Sequence, residues 1–333
     1  MKYRAVNLDS LRGEIDAAVG RLSQHSQFLR ETPLMKLPGS AFHVPCAEVW
    51  LKLEHLQVGG SFKARGMLNR MLANPIPKSG VIVASGGNAG IATAAAARAL
   101  SVPCEVFVPT VSSPAKQAKL RELGATVVVT GAAYSEALQA CLARQRETGA
   151  LMTHAYDQIE VVAGAGTLAR EIELQGGVPH SVLVSVGGGG LIGGIAAWFA
   201  GRSQVVALES EHTPTLYEAR KANQPVDVAV SGIAADSLGA KRIGDIGWSI
   251  AQQHLNDGAP LVAVGAPLVA DALLVSDDSI RAAQKWLWNH LRLAVEPAAA
   301  LGLAALQTGG YVPRADDTVC LILCGANVDL VSL

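Results

Sequence analysis

Residues 181–201 read SVLVSVGGGGLIGGIAAWFAG, an uncharged stretch long enough to suggest a membrane-spanning helix. Four consecutive glycines at 187–190 interrupt it in the middle. The β-branched run before the glycines is typical of a buried strand, and the apolar segment after them is typical of a buried helix. The stretch therefore predicts a strand, a glycine turn and a helix in the core of a soluble α/β protein, and not a membrane span.

The same alternation of apolar strands and helical segments extends over most of the chain. Strand-like runs occur at 80–85, 104–109, 125–130, 181–186, 204–210 and 318–325. Fully apolar strands that alternate with helices indicate parallel sheets covered on both faces. We therefore predict an α/β fold with two open, twisted, mostly parallel sheets in two lobes, and an active site in the cleft between them.

Composition excludes several classes of function. The 333 residues are 50% hydrophobic and 17% charged, which is enough for a large core. The formal net charge of −1, with both signs mixed along the chain, gives no indication of a nucleic-acid or membrane partner. The five cysteines follow no CxxC or metal-type spacing, and the first residues lack a signal-peptide core. We expect a reducing, cytoplasmic location.

Two glycine-rich turns, each between a strand and a helix, are candidate anion sites. In SVGGGGLIGG (185–194), backbone N–H groups at a helix start suit a phosphate, although a plain tight turn would explain the glycines as well. The turn lacks the Lys-Ser/Thr of a P-loop. In SGGNAG (85–90), Ser85, Asn88 and free N–H groups could bind a carboxylate, but serine and asparagine are also preferred helix N-cap residues.

Two side chains are candidate reactive groups. Lys63 lies in the glycine-flanked GGSFKARG (59–66), after the strand-like EVWLKLEHL (48–56). A lysine amine attacks aldehydes when its pKa is lowered, whereas most loop lysines are simply solvated. Cys324 follows the last apolar strand. By itself it is more typical of a small core residue than of a nucleophile, because no histidine accompanies it in a motif.

Taken in order, these segments resemble the fold type II (β-family) pyridoxal-phosphate enzymes and, within them, the short catabolic serine/threonine dehydratases. The resemblance covers RETPLMKL (30–37), GGSFKARG, SGGNAGIA, GAGTLAREI (164–172), SVGGGGLIGG, VEPAAALGLAAL (295–306) and CGANVDL (324–330). The implied fold is similar to that of tryptophan synthase β. We predict a discontinuous large cofactor domain, residues 1–55 and 160–333, and a small substrate-loop domain, residues 56–159.

The resemblance implies a cofactor, pyridoxal 5'-phosphate, covalently attached to Lys63. Phe62 would pack against the ring, Asn88 would bind its hydroxyl, and Cys324 would face its nitrogen. An uncharged thiol there would favour β-elimination over transamination. The phosphate would be bound by the turn and the first helical residue, namely Gly187, Gly188, Gly189, Gly190 and Leu191.

The resemblance also implies how a substrate would bind and react. The carboxylate of an L-amino acid would be bound by Ser85, Gly86, Gly87, Asn88 and Ala89. The freed Lys63 amine would take the Cα proton, and loss of the β-hydroxyl of L-serine or L-threonine would give a 2-oxo acid and ammonia. Gly86 and Tyr156 depart from the family pattern and leave room for a bulkier or more polar substrate, such as phenylserine or 3-hydroxyaspartate, although Tyr156 could simply replace a core phenylalanine.

A monovalent cation site is implied in the same way. ALESEHTPT (207–215) offers oxygen ligands from Glu209, Thr213 and Thr215. With a single carboxylate they suit K⁺ better than Mg²⁺ or Ca²⁺. The same residues could instead form a helix N-cap cluster.

Other functions remain open from the sequence. With Ser85 as a second acid on the opposite ring face, the chain would be a serine racemase. With the cofactor but no turnover, it would be an amino-acid sensor. Relatives also suggest a homodimer, in which the region of Trp248, Trp286 and Trp288 could be interface or core.

Overall fold

Residues 6–255 and 265–329 are described in the computed structural model, and within them the chain forms ten strands and eleven α-helices. The strands are β1 Leu34–Pro38, β2 Glu48–Lys52, β3 Val81–Ala84, β4 Cys104–Val108, β5 Thr126–Val129, β6 Leu151–Met152, β7 Ser181–Ser185, β8 Gln204–Ser210, β9 Val269–Val275 and β10 Thr318–Ile322. The helices are α1 Leu8–Ser23, α2 Lys63–Leu72, α3 Asn88–Ala99, α4 Pro114–Glu122, α5 Tyr134–Thr148, α6 Ile159–Gly176, α7 Gly190–Phe199, α8 Thr215–Ala222, α9 Asp245–Ala251, α10 Asp277–Trp286 and α11 Pro297–Gln307.

The described strands form two sheets. One has six strands in the order β1-β2-β10-β7-β8-β9, and the other has four in the order β5-β4-β3-β6. Strand β1 pairs with β2 in antiparallel fashion, and the other neighbours in these two sheets are parallel. The predicted α/β fold with two mostly parallel sheets is confirmed.

The two sheets use different parts of the chain. All strands of the four-stranded sheet lie between Val81 and Met152, and those of the six-stranded sheet lie outside that interval. The domain boundaries at 55/56 and 159/160 stay a prediction. The predicted large domain includes residues 1–5, 256–264 and 330–333, which lie outside the described residues.

The stretch at 181–201 folds as a strand, a turn and a helix. All five residues of β7 are buried, as expected for a central parallel strand covered by helices. Gly189 has a φ of 85°, a left-handed conformation that glycine adopts without strain, and α7 begins at the next residue. In the described part of the chain, none of the helices combines the length and the apolar character needed to cross a membrane.

Close helix packing determines where Lys63 lies. Helix α2, which begins at Lys63, crosses α6 at two glycines. A Cβ on Gly66 would lie 2.7 Å from the Val161 carbonyl oxygen, and a Cβ on Gly164 would lie 2.7 Å from the Gly66 Cα. Only glycine fits at these two positions of the crossing, so the backbones of α2 and α6 lie in direct contact.

Candidate active site

A cavity lies at the carboxyl ends of β3, β7 and β10. The residues predicted to bind the cofactor all line it: Phe62, Lys63, Asn88, Gly187, Gly188, Gly189, Gly190, Leu191 and Cys324. The other lining residues are Tyr156, Ser185, Ser237, Leu238, Glu296 and Ala298. Segments that are up to 262 residues apart in sequence therefore meet around one cavity.

The Lys63 amine is held in this cavity by the protein. Its Nζ donates to the Ala155 carbonyl oxygen at 2.5 Å and lies 5.0 Å from the centroid of the Phe62 ring. Burial lowers the pKa of Lys63 to about 8, although the nearby Cys324 and Glu296 oppose the shift. A large fraction of the amine is therefore neutral, and nucleophilic, in mildly alkaline solution.

Buried ion pairs support the segment that carries Lys63. Arg65 Nη2 lies 2.6 Å from Glu54 Oε1, and Arg65 Nη1 lies 2.9 Å from Glu171 Oε2. Lys52 Nζ lies 2.6 Å from the same Glu171 carboxylate. These ion pairs join the end of β2, the start of α2 and the middle of α6. They therefore hold in place the elements on both sides of the glycine-flanked turn before Lys63.

The tetraglycine turn forms one wall of the cavity. The first N–H groups of an α-helix have no intrahelical partner, and those of α7 begin at this turn. Tyr156 packs on it: a Cβ on Gly188 would lie 2.2 Å from the Tyr156 ring. The Tyr156 hydroxyl donates to the Arg242 carbonyl oxygen at 3.3 Å. Tyr156 therefore contributes its ring to the cavity wall, and its hydroxyl is engaged elsewhere.

The Cys324 side chain is buried beside Lys63. Its carbonyl oxygen accepts a hydrogen bond from the Phe62 N–H at 3.1 Å, which ties the end of β10 to the lysine turn. Burial, with a smaller contribution from Glu296, raises the pKa of the thiol far above its usual range. The thiol is therefore uncharged at every pH at which the protein would work.

The predicted substrate loop lies at the start of α3. Asn88 lines the cavity, whereas Ser85, Gly86, Gly87 and Ala89 are not among its lining residues in the described part of the chain. The Ser85 Oγ accepts a long hydrogen bond, 3.4 Å, from the Gly87 N–H. A Cβ on Gly86 would lie 3.0 Å from Ser112 Oγ and 3.2 Å from Val108 Cγ1. The methyl that Gly86 lacks would therefore contact Ser112 and Val108, and the expectation that its absence enlarges the substrate space stays a prediction.

The three predicted cation ligands are buried together behind the turn. Thr215 Oγ1 donates to Glu209 Oε1 at 2.9 Å and is 2.6 Å from the Gly187 carbonyl oxygen. The Glu209 carboxylate also accepts from the backbone N–H groups of Leu216 and Tyr217 at the start of α8. The buried Thr213 hydroxyl has no hydrogen-bond partner among the described residues. The Glu209 carboxylate thus accepts hydrogen bonds from the N-terminus of α8, and the Thr213 hydroxyl has no hydrogen bond among the described residues.

Glu296 lines the cavity, although no pattern in the sequence indicates a role for it. It is 3% exposed, and its two carboxylate oxygens accept from Asn88 Nδ2 at 2.9 and 3.0 Å. Burial raises the pKa of Glu296 to about 7, while Asn88 opposes the shift. The available signal was an acid directly before a proline and an alanine-rich helix in VEPAAA (295–300), a place where an exposed N-cap would be ordinary.

Comparisons with known proteins identify the family of this chain. Residues 25–325 match the family model described as pyridoxal-phosphate dependent enzyme. The L-threonine ammonia-lyase of Thermotoga maritima is 31% identical over 288 residues, which cover 85% of this chain and 68% of that protein. The phenylserine dehydratase of Ralstonia pickettii is 31% identical over 322 residues, 95% and 94% of the two chains. Among solved structures, maize serine racemase has a TM-score of 0.84 at 27% identity, covering 99% of this chain and 96% of its own.

Proposed function

Because this chain belongs to the pyridoxal-phosphate dependent enzyme family, we propose that it converts a β-hydroxy L-amino acid to a 2-oxo acid and ammonia by β-elimination. L-Threonine and L-serine are the first candidate substrates, and L-phenylserine is the second, since 31% identical relatives carry the names of threonine ammonia-lyase and phenylserine dehydratase. The observation that carries the proposal is the Lys63 amine in one cavity with a glycine turn and an uncharged thiol.

The chemical groups that line the cavity fit pyridoxal phosphate. The start of α7 offers backbone N–H groups for a phosphate, and the neutral Cys324 thiol suits an unprotonated ring nitrogen. Phe62 would pack against the ring, and Asn88 would donate to its hydroxyl. When bound, the cofactor supplies an aldehyde that bonds to amines and a ring that withdraws electrons from the substrate Cα.

Lys63 would serve both as the attachment point of the cofactor and as the base. With a pKa of about 8 its amine is substantially neutral at working pH, so Nζ can accept the proton of the substrate Cα. Activity should therefore rise as the pH increases through about 8. Ser85 and the N–H groups at the start of α3 would hold the substrate carboxylate, with Asn88 linking this loop to the cavity of the amine.

We also propose K⁺ as the ion of the Glu209, Thr213 and Thr215 cluster. The unengaged Thr213 hydroxyl supports an additional ligand there, and Thr215 joins the cluster to the Gly187 carbonyl at the tetraglycine turn. Replacing K⁺ by Na⁺ or removing it should lower activity, and Thr213→Val should reduce the response to K⁺. A cytoplasmic location and a homodimer remain proposals as well; the five free thiols support a reducing compartment.

The test is a substrate panel with the purified, cofactor-loaded protein. L-Serine, L-threonine, L-phenylserine and 3-hydroxyaspartate are incubated with and without K⁺, and ammonia and 2-oxo acid are measured. We expect both products in equal amounts from at least one substrate. D-Serine that accumulates faster than pyruvate would identify a racemase, and cofactor binding without any 2-oxo acid would identify a sensor.

A matched pair of lysine variants tests the role of Lys63. Lys63→Ala should lose the visible absorbance of the attached cofactor and at least about 100-fold in activity, the usual effect of a missing general base. Lys78→Ala changes an exposed lysine and should behave like the wild type. Equal absorbance in the Lys63→Ala and wild-type proteins would refute the attachment.

A further inference from the structure

We propose that Glu296 is a positioning residue that acts through Asn88, an inference that rests on the proposed function. Glu296 is the N-cap residue of α11, yet its side chain does not cap that helix. Both carboxylate oxygens are instead directed to the Asn88 amide. An acid that gives up the usual N-cap bond in favour of a cavity residue 208 positions away has a function at that residue.

The contacts of Asn88 fix the direction of its amide. Asn88 Oδ1 accepts from Asn327 Nδ2 at 2.6 Å, and the same Asn327 nitrogen donates to the Gly59 carbonyl oxygen at 2.8 Å. On the other side, Asn88 Nδ2 faces the Glu296 carboxylate, which in its ionised form can only accept. A flipped amide would place two donors against each other at Asn327 and two acceptors at Glu296. One orientation is therefore strongly favoured.

This orientation determines what Asn88 offers to a ligand. One Nδ2 hydrogen serves Glu296, and the second remains for an oxygen atom in the cavity, which Asn88 lines. The ring hydroxyl of the cofactor is such an oxygen. A protonated Glu296 can donate, so the flipped amide, which would present a carbonyl oxygen in place of the donor, then has one unfavourable contact, at Asn327, and no longer two. The ionised carboxylate thus keeps Asn88 a donor.

The surroundings of Glu296 are shaped for this carboxylate. A Cβ on Gly325 would lie 2.2 Å from Glu296 Oε1, so no side chain larger than hydrogen fits beside it. The ionisable groups that face it are Lys63 at the start of α2, Cys324 after β10 and Asp236 in the segment before α9. Burial and Asp236 favour the protonated form, whereas Asn88, the Asn327 backbone N–H and Lys63 favour the ionised one.

Replacement of the carboxylate by an amide tests the inference. Glu296→Gln keeps the size of the side chain but can either donate or accept, so Asn88 loses one of the two contacts that fix its orientation. We expect cofactor affinity, measured by fluorescence titration of the apoprotein, to fall about tenfold, as for the loss of a charge-assisted hydrogen bond. The visible absorbance of the wild-type holoprotein should change with pH near 7, and this change should be absent in Glu296→Gln.

Controls separate positioning from a structural effect. Glu160→Gln removes a carboxylate that pairs with Arg70 outside the cavity, and its affinity and pH response should match the wild type. Asn88→Ala alone should lose most of the cofactor affinity. Adding Glu296→Gln to Asn88→Ala should lower the cofactor affinity only slightly further, because Glu296 acts through Asn88. If Glu296→Gln does not fold, Asn327→Ala removes the opposite contact and should weaken cofactor binding in the same direction.

Three results would overturn the inference: additive losses in the double variant, an unchanged affinity in Glu296→Gln, or an unchanged pH response of its absorbance. These outcomes differ from a failure of the proposed function. Wild-type protein that binds the cofactor but forms no 2-oxo acid from any substrate contradicts the elimination reaction and leaves the Asn88 result standing.

Discussion

Glu296 costs the folded protein stability whenever its carboxyl group is ionised. Its pKa rises from 4.5 to about 7 on folding, so the folded chain retains a proton that the unfolded chain releases. The free energy of unfolding therefore falls as the pH rises from 4.5 to 7, by up to about 3 kcal/mol. Glu296→Gln does not ionise and should be more stable than wild type at pH 8, with a smaller difference at pH 5.

Urea unfolding of the apoproteins at the two pH values measures this difference. Glu160→Gln is the matched control, because its carboxylate is partly exposed and paired with Arg70. A Glu296→Gln protein that is destabilised equally at pH 5 and pH 8 would contradict the assignment of the raised pKa to Glu296.

Gly86 offers a second test at the level of one residue. Because its missing Cβ points at Ser112 and Val108, Gly86→Ala should lower stability by about 1 kcal/mol through overpacking. The ratio of kcat/KM for L-threonine to that for L-phenylserine should stay within about twofold, since the methyl faces away from the cavity. Adding Ser112→Ala should restore stability. A large change in the substrate ratio would show that the methyl reaches the substrate.

Whether a site residue can be predicted from the sequence depends on how far along the chain its partners lie. Lys63 and the tetraglycine turn are local patterns, and their residues do line one cavity. The role of Glu296 was not predicted because it depends on a contact with Asn88, 208 residues earlier, and nothing within VEPAAA indicates that contact. The direction of the Gly86 Cβ was equally hidden, because it depends on the path of the loop after β4.

At the scale of secondary-structure elements, the close packing of α2 against α6 can be tested at Gly164. Gly164→Ala would place a Cβ 2.6 Å from the Arg65 carbonyl oxygen, so the two helices must separate. We expect a loss of about 1–3 kcal/mol in stability and a lower kcat, since α2 carries Lys63 at its first residue.

Gly13 in α1 is the matched control for Gly164. A Cβ there would meet nothing within 4 Å, so Gly13→Ala should stabilise the protein by about 0.5–1 kcal/mol through helix propensity and leave kcat unchanged. Thermal unfolding and steady-state kinetics of the two variants give the comparison. Equal effects of the two substitutions would mean that the crossing tolerates a methyl group.

Most elements could be predicted from their own residues, and the exceptions have a physical reason. The runs at 104–109, 181–186 and 204–210 became β4, β7 and β8 nearly residue for residue, because buried parallel strands are continuously apolar. Strand β9 was not predicted: its sequence VADALLV contains two alanines and few β-branched residues, and among the described strands it pairs with β8 alone, at the edge of the sheet. The antiparallel direction of β1 depends on its pairing with β2, which no local pattern reveals.

On the scale of the whole molecule, an exposed ion pair lies near the cavity. Lys116 in α4, which follows β4 of the four-stranded sheet, pairs with Asp236, next to the cavity residues Ser237 and Leu238. Both side chains are substantially exposed, so the pair contributes little and is screened by salt. Lys116→Gln should lower kcat/KM by no more than about fivefold, and the wild type should approach the variant as the salt concentration rises. A variant as salt-sensitive as the wild type would argue against a role for this pair.

The position of β10 has a consequence for biosynthesis. This strand, Thr318–Ile322, lies between β2 and β7 and hydrogen-bonds to both, although every other strand of the sheet is translated before it. Until it emerges from the ribosome, β2 and β7 expose unpaired edges, and the Cys324 wall of the cavity does not exist. The nascent chain should therefore depend on chaperones to protect those edges, and cofactor loading should require that β10 has emerged and paired. A ribosome-bound intermediate stalled before residue 318 would be open to aggregation and unable to retain pyridoxal phosphate.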